Sequence, residues 1–288
     1  MSSSMRAIRA RIRSIEGTRK ITSSMKVVAA SKMRRVQKMR GTLTAFSEKS
    51  EQMLAALLAG EPETDNPYLR QPPAVRTVTA VVFLGNRGLC GSYNQDLMAY
   101  LTAHRYDYSE IVICGAWGQE MLRASNLPVI RYFDTLSDVP TPGEAAVVAD
   151  FLKTRFREGR TDRIELIYQK YLTALTQQVT SQVYLPVMPP AGSSGEGADC
   201  LYEPGKAALI DALTELYTGS RIHAVMLESR VSEHNARMRA MTAASDNTED
   251  MIRELTMALN HARQAAITTE IAEIVGGASA LRSTDHPL

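Results

Sequence analysis

The sequence predicts an α/β protein: a long antiparallel coiled coil of N- and C-terminal helices with an inserted βαβ, Rossmann-like domain. Three observations predict it. Apolar residues recur at alternating three- and four-residue spacing at both ends of the chain. Between those ends, β-branched runs alternate with helix-like stretches. No proline precedes Pro62, and none lies between Pro204 and Pro287, so neither periodic segment is interrupted.

The N-terminal shaft helix is expected over residues 1–60. Its frame runs through Ile8, Ile12, Ile15, Met25, Val36, Met39, Leu43, Phe46, Met53 and Leu57, with Thr22, Ala29 and Ser50 filling gaps. Gly60-Glu61-Pro62 is a stop signal. Such a helix is about 80 Å long, more than a compact domain of this size is wide. It must therefore project.

A globular α/β domain is expected over residues 74–200. Strand-like runs lie at 75–84, 111–114 and 129–133, and helix-like stretches at 94–104, 116–124 and 143–158. Residues 163–171 and 179–187 read as two further strands, spaced as a hairpin. The Pro/Gly/Ser-rich residues 188–199 read as a closing loop.

The C-terminal shaft helix is expected over residues 205–281, followed by a polar tail at 282–288. Its frame runs through Leu213, Leu216, Leu227, Val231, Met238, Met241, Ile252, Leu255, Leu259 and Ala262. Ser220, His223, His234, Ser245 and Thr248 also fall on it, so the seam reads as loose in the middle. Gly219-Ser220 could interrupt the helix, and Gly276-Gly277 weakens its end. Packing the two helices antiparallel covers both seams. The second overhangs the first by roughly 30 Å. A lone, partly apolar helix in water is marginal, so the overhang implies a partner that encloses it.

Charge is unevenly distributed. Residues 1–40 carry twelve Lys/Arg against one acid, Glu16, while the whole chain carries only +2. A basic helix of this kind points to an acidic partner surface. A nucleic-acid-binding coiled coil is the competing reading, weakened because Phe46 is the only aromatic among residues 1–60. Three scattered cysteines, Cys90, Cys114 and Cys200, form neither a disulfide framework nor a zinc pattern and fit a reducing compartment. No apolar run is long enough to span a bilayer. The Arg-rich start runs without a break into the periodic segment, so it reads as mature sequence.

Residues 85–91 (GNRGLCG) follow a strand and precede a helix, where a glycine loop can cradle phosphate. The spacing matches neither the dinucleotide fingerprint nor the P-loop. A tight turn or a subunit contact is the better reading, with Cys90 as a packing residue. No metal-ligand spacing and no nucleophile–base signature appears, so no cofactor and no catalysis by this chain are expected.

Four segments carry a resemblance: residues 21–33 (ITSSMKVVAASKM), 87–91 (RGLCG) with Asn94, 232–241 (SEHNARMRAM), and 262–275 (ARQAAITTEIAEIV). Together, and in this order, they resemble the γ subunit of F-type ATP synthases over nearly the whole chain. The resemblance covers proton-driven enzymes and alternative, sodium-pumping-type paralogues alike. Asn86 stands where the family has Asp, and Leu227-Glu-Ser-Arg230 is unusual for it. The resemblance implies a non-catalytic rotor shaft that couples ion flow to ATP synthesis or hydrolysis. Its implied partners are the α and β subunits of a catalytic hexamer, the ε subunit and the c-subunit ring. It implies a peripheral membrane protein on the cytoplasmic face of a bacterial inner membrane. By the same resemblance, Met25, Lys26 and Met33 lie where the shaft passes a β subunit, and Arg237, Arg263, Gln264, Thr268 and Glu270 touch the hexamer.

Overall fold

A computed structural model of the chain describes residues 2–58, 65–122, 126–188, 203 and 205–284. Two long helices, α1 (Ser2–Leu58) and α5 (Lys206–Thr284), bracket a five-stranded domain. The chain divides into two compact units. The larger covers residues 28–239; the smaller combines the described parts of 1–27 and 240–288.

In the larger unit, β1 (Val78–Phe83), β2 (Glu110–Cys114), β3 (Val129–Phe133), β4 (Arg163–Tyr171) and β5 (Gln177–Leu185) form one sheet in the order β3-β2-β1-β4-β5. The first four strands run parallel, and β5 pairs antiparallel with β4 as the expected hairpin. Residues 79–84 of the central strand and its continuation are buried on both faces, as a continuous apolar run in a parallel sheet requires. Ala80, Val82 and Leu84 pack with Leu97 and Leu101 of α2 (Tyr93–Ala103). Val81 and Phe83, on the opposite face, pack with Val148 and Leu152 of α4 (Pro142–Arg157). That second cluster also takes in Leu54 and Leu57 of α1 and Ile210, Leu213 and Tyr217 of α5. A third cluster joins Val36 to Leu227 and Val231. Partners of α1 thus move down α5 as one moves up α1, so within this unit the two helices are antiparallel.

Several boundaries differ from those expected, each for a local reason. The first strand begins at Val78, because the N–H groups of Arg76 and Thr77 donate to the Asp162 carboxylate, both at 2.8 Å, before the ladder starts. Strand β5 ends at Leu185, since Pro186 has no N–H to donate. Helix α4 starts at Pro142, with Thr141 and Glu144 closing a capping box. Helix α3 starts at Ala116, as expected, and is described to Leu122; the rest of its expected span lies outside the described residues. Just before it, Gly115 has φ +123, and a Cβ there would stand 2.3 Å from the Leu84 carbonyl oxygen. Gly219-Ser220 does not break α5: burial of its neighbours outweighs a glycine penalty of about 1 kcal/mol. The helix also runs through Gly276-Gly277 to Thr284, into the expected tail. The stop signal at 60–62 and most of the expected loop at 188–199 lie outside the described residues.

The apolar frame of α1 slips by one position. Phe46 and Met53 face solvent, with Ser47 and Leu54 buried in their place, while Ser50 and Leu57 hold the expected positions. A straight α-helix drifts about 20° per heptad from a strict 3.5-residue repeat, so a seven-heptad frame read from sequence cannot stay in register. On α5, Leu216 is likewise exposed and Tyr217 buried in its place. The expected loose middle of the seam is instead the most enclosed part of the helix. Residues 225–235 are all buried, although most of them are polar.

The smaller unit keeps the frame. Ile8, Ile12, Ile15, Thr22 and Met25 are buried or half-buried on α1, as are Met241, Thr248, Ile252, Leu255, Leu259 and Ala262 on α5. Ala266 is the last half-buried position, and residues 267–279 are exposed throughout. Among the described residues, no helix is long and apolar enough to cross a membrane.

The slipped frame gives a direct test. Leu54→Ala should destabilise the larger unit by about 2–5 kcal/mol, whereas Met53→Ala should change its stability by no more than about 0.5 kcal/mol. Urea denaturation of the two variants measures the difference.

Candidate functional site: a buried charge cluster and the contact residues around it

The polar stretch of α5 is buried because its side chains grip the inserted domain. Glu233 is the hub, with only 1% of its side chain exposed. It accepts from Arg230 Nη1 at 2.5 Å, one turn earlier, and from Arg237 Nη2 at 2.8 Å, one turn later. Burial pushes the Glu233 carboxyl up, but the two guanidiniums override it and hold it below the ordinary range. Each arginine then reaches into the domain. Arg230 Nη2 donates to Asn86 Oδ1 at 2.8 Å. Arg237 Nη2 donates to the carbonyls of Arg87 at 3.1 Å and Gly88 at 3.2 Å. Gly85 makes room: a Cβ there would stand 3.1 Å from the Glu233 carboxyl group.

These bonds fix the glycine turn from the helix side. From the sheet side, Gly85 N–H donates to Asn94 Oδ1 at 2.8 Å, and Asn86 Nδ2 donates to the Leu136 carbonyl at 2.6 Å. The Gly85 N–H, the Asn86 side chain and the Arg87 and Gly88 carbonyls are thus engaged by the chain itself, as in a tight turn packed on its own helix. Leu89 at its tip sits at φ +59, a left-handed conformation that bulky residues rarely adopt, and is 62% exposed. Cys90 and Cys114 are packing residues. Burial raises both thiols, that of Cys114 to about 12, so neither supplies a thiolate at neutral pH.

Further clamps surround the cluster. Arg40 of α1 pairs with Glu228, which also accepts from the Tyr171 N–H at 2.7 Å. Lys32 of α1 pairs with Asp138 in the connection from β3 to α4. The tip of the β4–β5 hairpin is pinned to α5 by Asn235 Nδ2, donating to Ala174 O at 3.0 Å, and by Arg239 Nη1, donating to Leu175 O at 2.8 Å. Leu175 is left 78% exposed. On the α4 side an open apolar groove of about 520 Å³ is lined by Leu43, Pro142, Ala146, Ala212, Leu216 and Gly219, among others.

The expected contact residues fall into three settings. Lys26, Arg263, Gln264, Thr268 and Glu270 are exposed, all in the smaller unit, where Met25 is half-buried. Thr268 Oγ1 donates to the Gln264 carbonyl one turn back, at 3.0 Å. Met33 is half-buried against the Val36–Leu227–Val231 cluster. Arg237 stands apart. It is 9% exposed, and its guanidinium is occupied by the chain's own turn. Sequence reasoning missed Asn86, Glu228 and Asp138 as partners. The Arg230-x-x-Glu233-x-x-x-Arg237 spacing, which stacks opposite charges on one helix face, was the signal available.

The family model described as ATP synthase matches residues 4–281. The ATP synthase gamma chain of Desulfitobacterium hafniense is 34% identical over 281 residues, covering 96% of this chain and 99% of the relative. This chain belongs to the ATP synthase gamma-chain family. The gamma chain of Heliobacterium modesticaldum is 35% identical over 288 residues, with 96% and 99% coverage. In fold, the chain resembles one in the OSCP/F1/c-ring of Euglena gracilis mitochondrial ATP synthase in rotational state 3. The TM-score is 0.70 at 17% identity, over 100% of this chain and 98% of that one. Membership makes this gamma chain a non-catalytic, central-stalk component of an ATP synthase, and the nucleic-acid reading has no support.

Removing the hub charge tests the cluster. Glu233→Gln leaves two buried guanidiniums without a counter-charge and should cost about 3–5 kcal/mol of stability. For the wild type, the carboxyl is held low in the folded state. Its contribution is therefore present above the ordinary carboxylate range and lost as pH falls through and below it. Denaturation at neutral pH and at about pH 3 should show the variant's deficit shrinking in acid.

Proposed function

We propose that this gamma chain is the turning shaft of a bacterial F-type ATP synthase, seated in a hexamer of α and β subunits and carried by a c-subunit ring. The observation that supports this most is the exposed end of α5. Ile267, Ile271, Ile274 and Val275 lie bare on a helix that no other described part of the chain covers. A helix of that kind is stable only inside an enclosing partner. Arg263, Gln264, Thr268 and Glu270, interleaved with those apolar residues, are the groups we assign to hydrogen-bonding contact with the hexamer. Met25 and Lys26, with Met33 further along α1, are assigned to the face that meets the moving part of a β subunit. Arg237 acts differently, by shaping the Arg87–Leu89 turn that bears on the hexamer.

The coupling works by differential contact. A shaft with unlike faces favours a different conformation of each β subunit as it turns, and each conformation differs in nucleotide affinity. The ε subunit and the c-ring are assigned to the inserted domain, with the apolar groove beside Leu216 as the seat for ε. The chain then works as a peripheral membrane protein on the cytoplasmic face of the inner membrane, held there by its partners.

Reconstitution with α and β subunits tests the shaft reading: hydrolysis of ATP should depend on this chain, and equal turnover in its absence sinks it. Replacing Arg9, Arg13 and Lys26 together by Glu should weaken assembly or torque, as read by complex yield and single-molecule rotation. Leu216→Arg should weaken capture of purified ε subunit at least tenfold, with the fold intact by circular dichroism, because a charge is then buried against an apolar seat.

A further inference from the structure

His234 is buried at the centre of the larger unit and plays no part in the contacts assigned above. Its ring lies between two elements. Nε2 is 3.3 Å from the Asp138 carbonyl, in the connection from β3 to α4. Nδ1 is 3.4 Å from Arg237 Nη1. A carbonyl can only accept and a guanidinium can only donate. The ring must therefore carry its proton on Nε2 and present a bare Nδ1 to Arg237, which makes it the neutral tautomer. A second proton would have to enter on Nδ1, facing a cation that is itself a donor.

The charges around the ring leave little room for that proton. From α5 come Arg230, Glu233 and Arg237; from the β3–α4 connection comes Asp138; and from α1 comes Lys32, which neutralises Asp138. The buried Glu233 carboxylate already serves two guanidiniums. Burial and both arginines hold the histidine below its ordinary range, with Glu233 and the Asp138 carbonyl opposing.

We propose that His234 is an acid-released latch on the Arg87–Leu89 turn: neutral, its bare Nδ1 receives Arg237; protonated there, it repels Arg237 and loosens that turn, while its Nε2–H keeps the Asp138 carbonyl. The route to the turn is direct, because Arg237 holds the carbonyls of Arg87 and Gly88. The connection has three other ties to the helices. Lys32 pairs with Asp138, His223 Nε2 lies 3.0 Å from the Pro140 carbonyl, and Val139 packs on Val36 and Leu227. Release is therefore a loosening of the turn and not an unfolding. The sign follows from a lowered folded value. The latch is closed above the ordinary histidine range and opens as pH falls through it toward the lower folded value. Asp138, Glu144 and Glu233, all held low, titrate in a separate and more acidic window. The latch lies wholly within the larger unit and stands independently of the partner assignments.

Amide hydrogen exchange of the full chain between pH 7.5 and pH 5, corrected for the intrinsic pH dependence, reads the latch. Amides at 86–89 should lose protection at the lower pH, while those at 138–139 and in β1 and β2 stay constant. His234→Gln, whose amide can still donate to the Asp138 carbonyl, should abolish the pH dependence; His223→Gln should keep it. If His234→Gln fails to fold, a nitrogen-detected titration of the wild-type ring decides. A neutral ring with its proton on Nε2 and a midpoint below the ordinary range supports the latch. A proton on Nδ1, an ordinary or raised midpoint, pH-independent exchange in the wild type, or unchanged pH dependence in His234→Gln overturns it.

Discussion

One carboxylate between two guanidiniums organises the inserted domain around the helix that leaves it. Glu233 cannot be buried uncharged without leaving two arginines unpaired, and it cannot be buried charged without both of them. Each arginine has further donors, and those donors end on the turn after β1: on Asn86 for Arg230, on the Arg87 and Gly88 carbonyls for Arg237. Position of the turn, rotamers of the arginines and burial of the glutamate are therefore a single condition. A core of apolar contacts could slide by a fraction of a turn at small cost; this one cannot, because each donor has a fixed acceptor.

Mechanical identity follows from that rigidity. Helix α5 runs through the larger unit with residues 225–235 wholly buried, tied to the sheet, to the β4–β5 hairpin and to α1 by separate polar clamps. Torque applied to the sheet reaches the helix through bonds that run across the interface, not through side chains that can roll over one another. The smaller unit is built otherwise, with a narrow half-buried seam and solvated faces.

Much of this was legible from the residues. The strand–helix alternation, the sheet's parallel character and the terminal hairpin followed from β-branched runs and their spacing. The helix after β3 was legible to within one residue of its start, which the capping box at Thr141 and Pro142 fix. What failed was phase and polarity. Phe46 and Met53 were placed on the seam because a strict heptad was carried further than a straight helix allows. The stretch around His234 looked like a weak seam because polar residues normally mark solvent, and only the fold brings Asn86 and Asp138 to meet them. The resemblance gives Arg237 as a hexamer contact; the fold adds its bonds to the Arg87 and Gly88 carbonyls, which no sequence pattern advertises.

The bare end of α5 has one more consequence. Residues 267–279 are exposed all the way round, so burial against the described chain marks out no one face of the helix. Whatever surrounds this stretch can take any azimuth relative to it without breaking an internal contact. In that sense the tip is a spindle: its own chain supplies no detents.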